Sequence, residues 1–579
     1  MRFSCKRVPV RFWVIALLAL ARFSFMSMTL GFQASWTMFT EEKITIRYWP
    51  FCKLSEEERQ FKTDLKSFGI WFNITNPDCG PRYKWKGSHK AIIDNVQLFG
   101  QMVGSIPSGI FVSSVGYPLY LLIYCSIVLS ILNALRGTFV ALQWELLLVN
   151  EFFLGVHLGA SYPAIGQWTA RWAPTNERAI FEATHLGNAI GSTMMKKMSH
   201  YLGPHIGYRG LYYYNSGLTL ILAILCFLVG GDDPETHRWI SNEELHLIKL
   251  SQRQKVTRTK CYPPFKHILT SAAFWSLNIL YFGMMVANMY FFSRVFYQFL
   301  YEFVGINKET LDLVNLLPYA SCVFGNIISA GLDRFLRSRN ITSEKIIGQI
   351  FTVVSHILSG VIIIIIGVAY CNVIYIIALI TIGYACTGAS VVSCYRNYLD
   401  IAPNFAGFMY GIMHFFGVTT RLIVPRFMNY VFMFNRGVLG WSIIFLLGGG
   451  CVAGTGIIYL FFGTTTCQWW NLKLADQFSV YKKRGSTEEE SEDNPSQKSK
   501  GVQKDEADRA PESTSSKPST KEVNTQSPPS TEKVPKRSFW GRAPESTSSK
   551  PSTKEVNTQS PPSTEKVPKR SFWGRVASI

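Results

Sequence analysis

Long apolar stretches recur along the chain far more often than a soluble core of 579 residues requires. A helix needs roughly 20 mostly apolar residues to cross about 30 Å of hydrocarbon, at about 1.5 Å per residue. Stretches of that length predict about twelve membrane-spanning helices. The first runs from Phe12 to Ala34, and five follow near Ala91 to Val112, Tyr117 to Leu135, Trp144 to Gly166, Ala179 to Leu202 and Gly210 to Val229. Six more lie near Ala272 to Tyr297, Thr310 to Ala330, Ile346 to Tyr370, Val373 to Arg396, Phe405 to Val424 and Gly437 to Phe462. The fifth rests partly on parity, because Glu182, His185, Lys196 and Lys197 interrupt it; the two lysines are placed to snorkel to the outer interface. The expected fold is an all-α membrane protein of two six-helix bundles, residues 1–229 and 267–465, joined by a connector, 230–266, and followed by a tail, 466–579.

The flanking charges set the direction of the helices. Arg2, Lys6, Arg7 and Arg11 precede the first stretch, and Arg238, Lys249, Arg253, Lys255, Arg258 and Lys260 crowd the connector. Basic residues stay on the cytoplasmic side, so both segments belong there and an even number of helices separates them. Six meets that condition, and the basic loop Asp333 to Lys345 faces the same way. The first stretch is too long for a signal peptide and ends without a small-residue cleavage pattern.

The polar segment 37–90 then lies on the lumenal or extracellular face. It holds Cys52, Cys79 and the sequon Asn73-Ile74-Thr75. Either it carries a disulfide and a glycan, or it holds two free thiols and an unused acceptor. From Thr466 onward the composition turns to Ser, Thr, Pro, Lys and Glu, too poor in apolar residues to fold, so the tail is expected to be disordered and cytoplasmic. A 33-residue unit occurs there twice without change, at 509–541 and 542–574. It is either the residue of a duplication or a tandem ligand or phosphorylation platform for cytoplasmic proteins.

The formal net charge of +20 divides into +5 in the tail and +15 spread over short loops, with no basic helix or base-stacking platform, which argues against nucleic acid. The twelve cysteines fall mostly within apolar stretches and show no metal spacing, so no metal and no cofactor is expected. No phosphate-cradling glycine loop or nucleophile elbow stands out, and Gly448-Gly449-Gly450 lies inside the last helix, where small residues permit close packing. An enzyme is not expected.

Five motifs carry a resemblance. The fourth stretch ends in Gly159-Ala160-Ser161-Tyr162-Pro163-Ala164, followed by Trp168, Trp172-Ala173-Pro174 and Glu177-Arg178. The others are Ile106-Pro107-Ser108-Gly109, the connector's Asp233-Pro234 with His237 and Ile240-Ser241-Asn242-Glu243-Glu244, Asp333-Arg334-Phe335-Leu336-Arg337-Ser338, and Asn397-Tyr398-Leu399-Asp400-Ile401-Ala402-Pro403. In order and spacing the chain from about Arg11 to Phe462 resembles the anion:cation symporter family of the major facilitator superfamily, which includes type I sodium/phosphate transporters, sialin and vesicular glutamate transporters. The resemblance implies alternating access, a small-molecule anion as substrate, Na⁺ or H⁺ as coupling ion, and a plasma membrane or an intracellular vesicle or lysosome membrane as location. Asp333, Arg334 and Arg337, at a helix end, are placed to form the charged latch of facilitators, or else serve as ordinary topogenic charge. The equivalent loop Ser113-Ser114-Val115-Gly116 has no charge, so such a latch is one-sided.

Inside the membrane the chain departs from that pattern. Alignment on Tyr162-Pro163 puts Glu151 where carboxylate-carrying members have a basic residue in the fourth helix; the basic positions of the first and seventh fall on Thr29 and Met285, and a second-helix histidine becomes Asp94. Arg22 lies seven residues before Thr29, two turns toward the cytoplasm on nearly the same face. A lone charge at the bilayer centre costs about 2.5 to 3.5 kcal/mol on insertion scales. Arg22 and Glu151 are therefore expected to form a buried ion pair, or each to face a watery cavity. Asn95, Gln97, Glu182 and His185 either line the path or hydrogen-bond between helices. Arg294, Arg396 and Arg421 are expected to snorkel at helix ends, and Glu145 to face water. The leading expectation is an anion transporter of altered selectivity. The alternative is a transport-silent membrane protein that uses the scaffold as a receptor or as an anchor for its repeated tail.

Overall fold

A computed structural model of the chain describes residues 8–40, 83–252, 262–306, 311, 314, 316–369 and 372–471. Asn73, Cys52, Cys79 and the repeated units of the tail lie outside the described residues. Those described form twelve long helical segments: α1 (Val10–Phe39), α2 (Gly87–Ser114), α3 (Pro118–Leu142), α4 (Trp144–Trp172), α5 (178–201), α6 (Gly203–Val229), α7 (272–304), α8 (Leu316–Ser338), α9 (Glu344–Ala369), α10 (Val373–Ile401), α11 (Ala406–Phe434) and α12 (Val438–Phe462).

Seven of them, α1, α3, α6 and α9 to α12, are long and apolar enough to cross a membrane by length and composition. The other five carry charged groups such as Asp94, Glu151, Glu182 and Asp333, or, in α7, break from α-helix into wider i to i+5 turns after Met285. The outer surface is apolar. Phe99, Leu228, Phe324, Ile328 and Phe461 are all more than half exposed, as lipid-facing side chains must be.

Glycines four apart set the packing inside each half. Gly100 and Gly104 of α2 face Gly155 and Gly159 of α4 so closely that an added Cβ would strike the opposing backbone. Gly187 and Gly191 bring α5 against Ala19 and Phe23 of α1 in the same way. In the second half Gly360 of α9 meets Gly449 of α12, and Gly388 of α10 meets Gly325 of α8. Between lipid-surrounded helices there is little hydrophobic drive, so close backbone approach through small residues supplies the contact. The pairing of second with fourth helix in the first half recurs as α8 with α10 in the second.

The halves meet where α11 packs on α2 and α4 and where α5 packs on α8. The described part of the connector includes a helix. Its helix Asn242–Gln252 docks by both ends: Glu244 accepts the backbone N–H groups of Val10 and Arg11 at 2.9 Å each, and Gln252 Nε2 donates to the carbonyls of Ala170, Arg171 and Ala173 at 3.0 to 3.2 Å. Each contact satisfies free backbone groups at a helix end, the first of α1 and the second of α4.

Several helices outrun their expected limits, α4, α7 and α8 among them, and in two more the extension encloses an arginine within the helix. α3 continues past Leu135 to Leu142, and α11 runs through Pro425 to Phe434. In both cases an arginine, Arg136 or Arg421, sits inside the helix where the sequence rule would place it near water.

Candidate functional site

Among the described residues four arginines are fully buried, and each has a carboxylate. Arg22 Nη2 lies 3.0 Å from Glu182 Oε2, Arg136 Nε lies 2.6 Å from Glu151 Oε1, Arg178 Nη1 lies 2.8 Å from Asp400 Oδ1, and Arg396 Nη1 lies 2.7 Å from Asp333 Oδ2. The expected pair of Arg22 with Glu151 is therefore overturned. Arg136 lies 15 residues before Glu151 on the adjacent α3, grips both its oxygens, and leaves Gln97 Nε2 to donate a further bond at 3.1 Å. Arg136 also donates to Asn133 Oδ1 and the Met28 carbonyl. A forked guanidinium matches a carboxylate's two oxygens, so this pair closes on itself within the first half.

The Arg22 and Glu182 pair reaches further. The Tyr398 hydroxyl, from the second half, donates to Glu182 Oε1 at 2.8 Å, and His185 Nε2 lies 3.4 Å from Glu182 Oε2. His185 Nδ1 meets the Asn188 side-chain amide at 3.0 Å; read as accepting that N–H, it puts the imidazole proton on Nε2, toward Glu182.

At the end of the bundle nearest the connector, charges cross from one half to the other. Glu177 pairs with Arg334 at 3.1 Å, Arg178 pairs with Asp400, and Arg396 Nη2 donates to the Thr175 carbonyl at 2.8 Å. Arg396, expected to snorkel, is instead buried between Asp333 and Asp400. Arg337 does not bridge the halves; it pairs with Asp333 one turn away at 2.7 Å. The first half contributes its share from the segment after α4 rather than from the uncharged 113–116 loop. Beside these pairs the backbones close up: a Cβ on Gly411 of α11 would lie 2.6 Å from the Ser105 carbonyl of α2.

Between the halves, at mid-helix depth, lies a narrow pocket with about 30 Å³ open to water, space for one or two water molecules. The first half lines it with Met26 and Thr29 of α1, Gln101 of α2, Tyr162 of α4, and His185 and Asn188 of α5. The second half lines it with Tyr281 and Met285 of α7, Tyr395 of α10, and Tyr410, His414, Val418 and Arg421 of α11. The rings interlock across the seam. Tyr162 stacks on His414 with centroids 4.0 Å apart, and His185 lies 3.6 Å from the Tyr395 ring. Tyr395 closes a wider helical turn at Val391–Tyr395.

Of the sequence-predicted residues, Thr29, Met285 and Tyr162 meet in this pocket, although the Thr29 hydroxyl donates to its own helix at Phe25. Asp94 and Asn95 are part-buried on α2 and do not line it. Pro163 packs against Gly411, and the Trp172 indole N–H donates to the Gly231 carbonyl at 2.8 Å. Pro174 precedes the short turn Thr175–Glu177, which carries the cross-half Glu177, Pro403 starts the turn Pro403–Phe405, and Asn397 Nδ2 donates to the Tyr459 hydroxyl at 2.5 Å. Arg294 and Glu145 are exposed. Lys196 sits over the Tyr319 ring of α8 at 5.2 Å rather than at a free interface. Sequence reading missed Arg136 and His414 outright and placed Arg421 at a helix end. Its only available clue was that helices longer than 25 residues are allowed when their charges have partners or a cavity.

The model of the Major Facilitator Superfamily matches residues 63–425. The chain belongs to that superfamily. This facilitator is an integral membrane protein and a secondary transporter, not an enzyme. It is similar to sialin of Ovis aries, 23% identical over 407 residues that cover 69% of this chain and 80% of sialin. It is similar also to the sodium-dependent phosphate transport protein 1 of Mus musculus, 23% identical over 413 residues covering 69% and 84%. The sodium-dependent phosphate transport protein 4 of Homo sapiens is 27% identical over 310 residues, covering 52% and 71%. Among solved structures, a proton:xylose symporter of the superfamily superposes with a TM-score of 0.59 at 10% identity, covering 80% of this chain and 98% of that one. The human organic anion transporter TETRAN gives 0.52 at 11%, covering 78% and 100%. At such identities these two bear on the fold alone.

Proposed function

We propose that this facilitator carries a small anion by alternating access, with Na⁺ or H⁺ as the coupling ion, and that the arrangement described is its cytoplasm-closed state. The observation that carries the reading is a pocket lined by both halves and sealed at the connector end by ion pairs that run from one half to the other. The seal is made of discrete charge pairs and a glycine seam, which can part as rigid bodies do, and not of one continuous core. The connector's basic residues put that end in the cytoplasm together with both termini. An anion is favoured because Arg421 brings a full charge to the pocket lining and forms no ion pair among the described residues. This also weighs against the transport-silent alternative, since a scaffold kept only as an anchor gains nothing from an arginine at mid-depth without a direct ion pair. A plasma membrane or an intracellular vesicle or lysosome membrane suits the reading.

Purified protein in proteoliposomes, loaded and diluted to impose Na⁺ or H⁺ gradients, should accumulate a labelled organic or inorganic anion and ignore neutral sugars. The tail is accessory to this cycle. The informative truncation ends after Asn471, because Trp470 is buried and Asn471 bonds Asn404 through both its side chain and its carbonyl at 3.0 Å. Absence of anion uptake by the full chain under both gradients defeats the transport reading.

A further inference from the structure

The tail, which the transport cycle does not use, gathers its basic residues and its rings into the same two places. Between Gly485 and Glu532 six Lys and Arg stand against eleven Asp and Glu, a net charge of −5. Lys533 to Arg542, which reads Lys-Val-Pro-Lys-Arg-Ser-Phe-Trp-Gly-Arg, then has four basic residues and no acidic one, and Lys566 to Arg575 repeats it without change. Phe539, Trp540, Phe572 and Trp573 of these two elements are the only aromatic residues after Tyr481.

The structure fixes where the tail begins. Trp470 is buried beside Phe405, Asn471 is bonded to Asn404, and the Gln468 backbone N–H donates to the Ile401 carbonyl at 2.9 Å. Trp469, in the same turn, is 58% exposed and lies edge-on to His267 with centroids 4.8 Å apart. His267 directly follows the connector, so the tail leaves the bundle at the connector end, where an open indole meets lipid headgroups. Every later residue is thereby tethered to the bilayer, and contact between an element and that bilayer is an intramolecular event. A membrane with anionic headgroups answers both features of each element: Lys and Arg stay among the headgroups while Phe and Trp enter the interface. It also offers a site to each copy without any fixed spacing between them.

We propose that Lys533 to Arg542 and Lys566 to Arg575 together bind the anionic lipids of the cytoplasmic leaflet, and that phosphorylation of Ser538 and Ser571 releases them. This rests on the cytoplasmic placement of the tail given above and not on which solute is carried. Each basic residue held near an anionic surface strengthens attachment about fivefold, and the second element adds to the first through their shared chain. Ser538 and Ser571 stand between the basic run and the rings. A protein kinase moves the γ-phosphoryl group of a nucleoside triphosphate onto the serine oxygen, which gives up its proton as the nucleoside diphosphate leaves. The added charge of about −1.5 to −2 takes an element from +4 to about +2 and sets an anion against the two rings that must leave water.

The test uses the full-length protein in nanodiscs, which leave both faces of the bilayer open, made of phosphatidylcholine alone or with phosphatidylserine. Trypsin is added, and cleavage within the two elements is timed by mass spectrometry against cleavage after Lys498 and Lys500 of the acidic stretch. With phosphatidylserine the elements should be cut at least about tenfold more slowly than in phosphatidylcholine alone, the two lysines should be cut equally in both, and high salt should cancel the difference. Phe539→Ala, Trp540→Ala, Phe572→Ala and Trp573→Ala together should cancel most of it, and so should Ser538→Glu with Ser571→Glu. Equal rates in the two lipids overturn the proposal. So does protection that phosphatidylcholine alone provides, which would mean that the elements grip protein. A lipid difference that survives Ser538→Glu with Ser571→Glu overturns the release by phosphorylation. A glycan gained by Val523→Asn, which creates an Asn-x-Thr acceptor, overturns the cytoplasmic placement itself, a failure separate from any loss of lipid binding in nanodiscs. Anion uptake by a chain ending at Asn471 tests transport apart from both.

Discussion

A carboxylate buried in the middle of a helix stays ionised only beside a cation, and the choice of cation was the hardest thing to read from the residues. Arg22 and Glu151 look like partners by depth. The structure gives each a different one because α3 extends far enough to bring Arg136 to Glu151, and because the interrupted fifth helix brings Glu182 to Arg22. Sequence reading assigns depth well and azimuth badly, since a charge's neighbours depend on how helices are rotated. Leaving Glu151 without its arginine strands a buried charge. Arg136→Leu should destabilise the fold by about 3–5 kcal/mol, visible as a large fall in detergent unfolding temperature. Exchange of the two, Arg136→Glu with Glu151→Arg, should regain much of that loss. The pair of Arg22 with Glu151 makes the opposite forecast, in which this exchange rescues nothing. Arg421 was legible as an arginine and illegible as a pocket group, because the expected stretch stopped near Val424 whereas the helix runs on to Phe434.

Helix identities were easier to see than their limits. The six-plus-six layout follows from apolar length and the basic connector, and the glycine pairs at four-residue spacing are visible as small-residue repeats. What spacing cannot tell is which glycines face another helix of the same half and which face the opposite half. Gly411 is of the second kind, with its Cβ position 2.6 Å from the Ser105 carbonyl across the seam. Gly411→Leu should wedge α11 away from α2 while leaving each half folded. A thiol introduced by Val112→Cys, at a buried position of α2 on the same seam, should then react with a polar maleimide many times faster than in the otherwise unchanged protein. Equal rates in both would show that the seam is not a moving contact. The connector helix behaves as a splint by contrast. Gln252→Ala removes three bonds to the end of α4, and a loss of about 1–3 kcal/mol of stability with little change in Val112→Cys labelling is expected.

For the molecule as a whole the cross-half charges act as a threshold. Asp400 is held by Arg178 from one half and Arg396 from its own, so Asp400→Asn strips Arg178 of its carboxylate and leaves Arg396 with Asp333 alone. Hydrated ion pairs are worth about 0–1 kcal/mol, whereas buried ones resist the loss of one member strongly. The closed state is thus disfavoured by the substitution far more than an open, wetted one. Val112→Cys labelling should rise in Asp400→Asn, and uptake driven by a gradient should fall. Labelling that stays at the wild-type rate would mean that these pairs stabilise a half and do not hold the two together. The segment 464–471 adds a consequence of a different kind. Trp470 is sunk beside Phe405, and Asn471 is stitched to Asn404, both on the second half. Whatever follows residue 471 is therefore leashed to one rocking body, and a protein that grips the tail would feel each turn of the cycle as a tug.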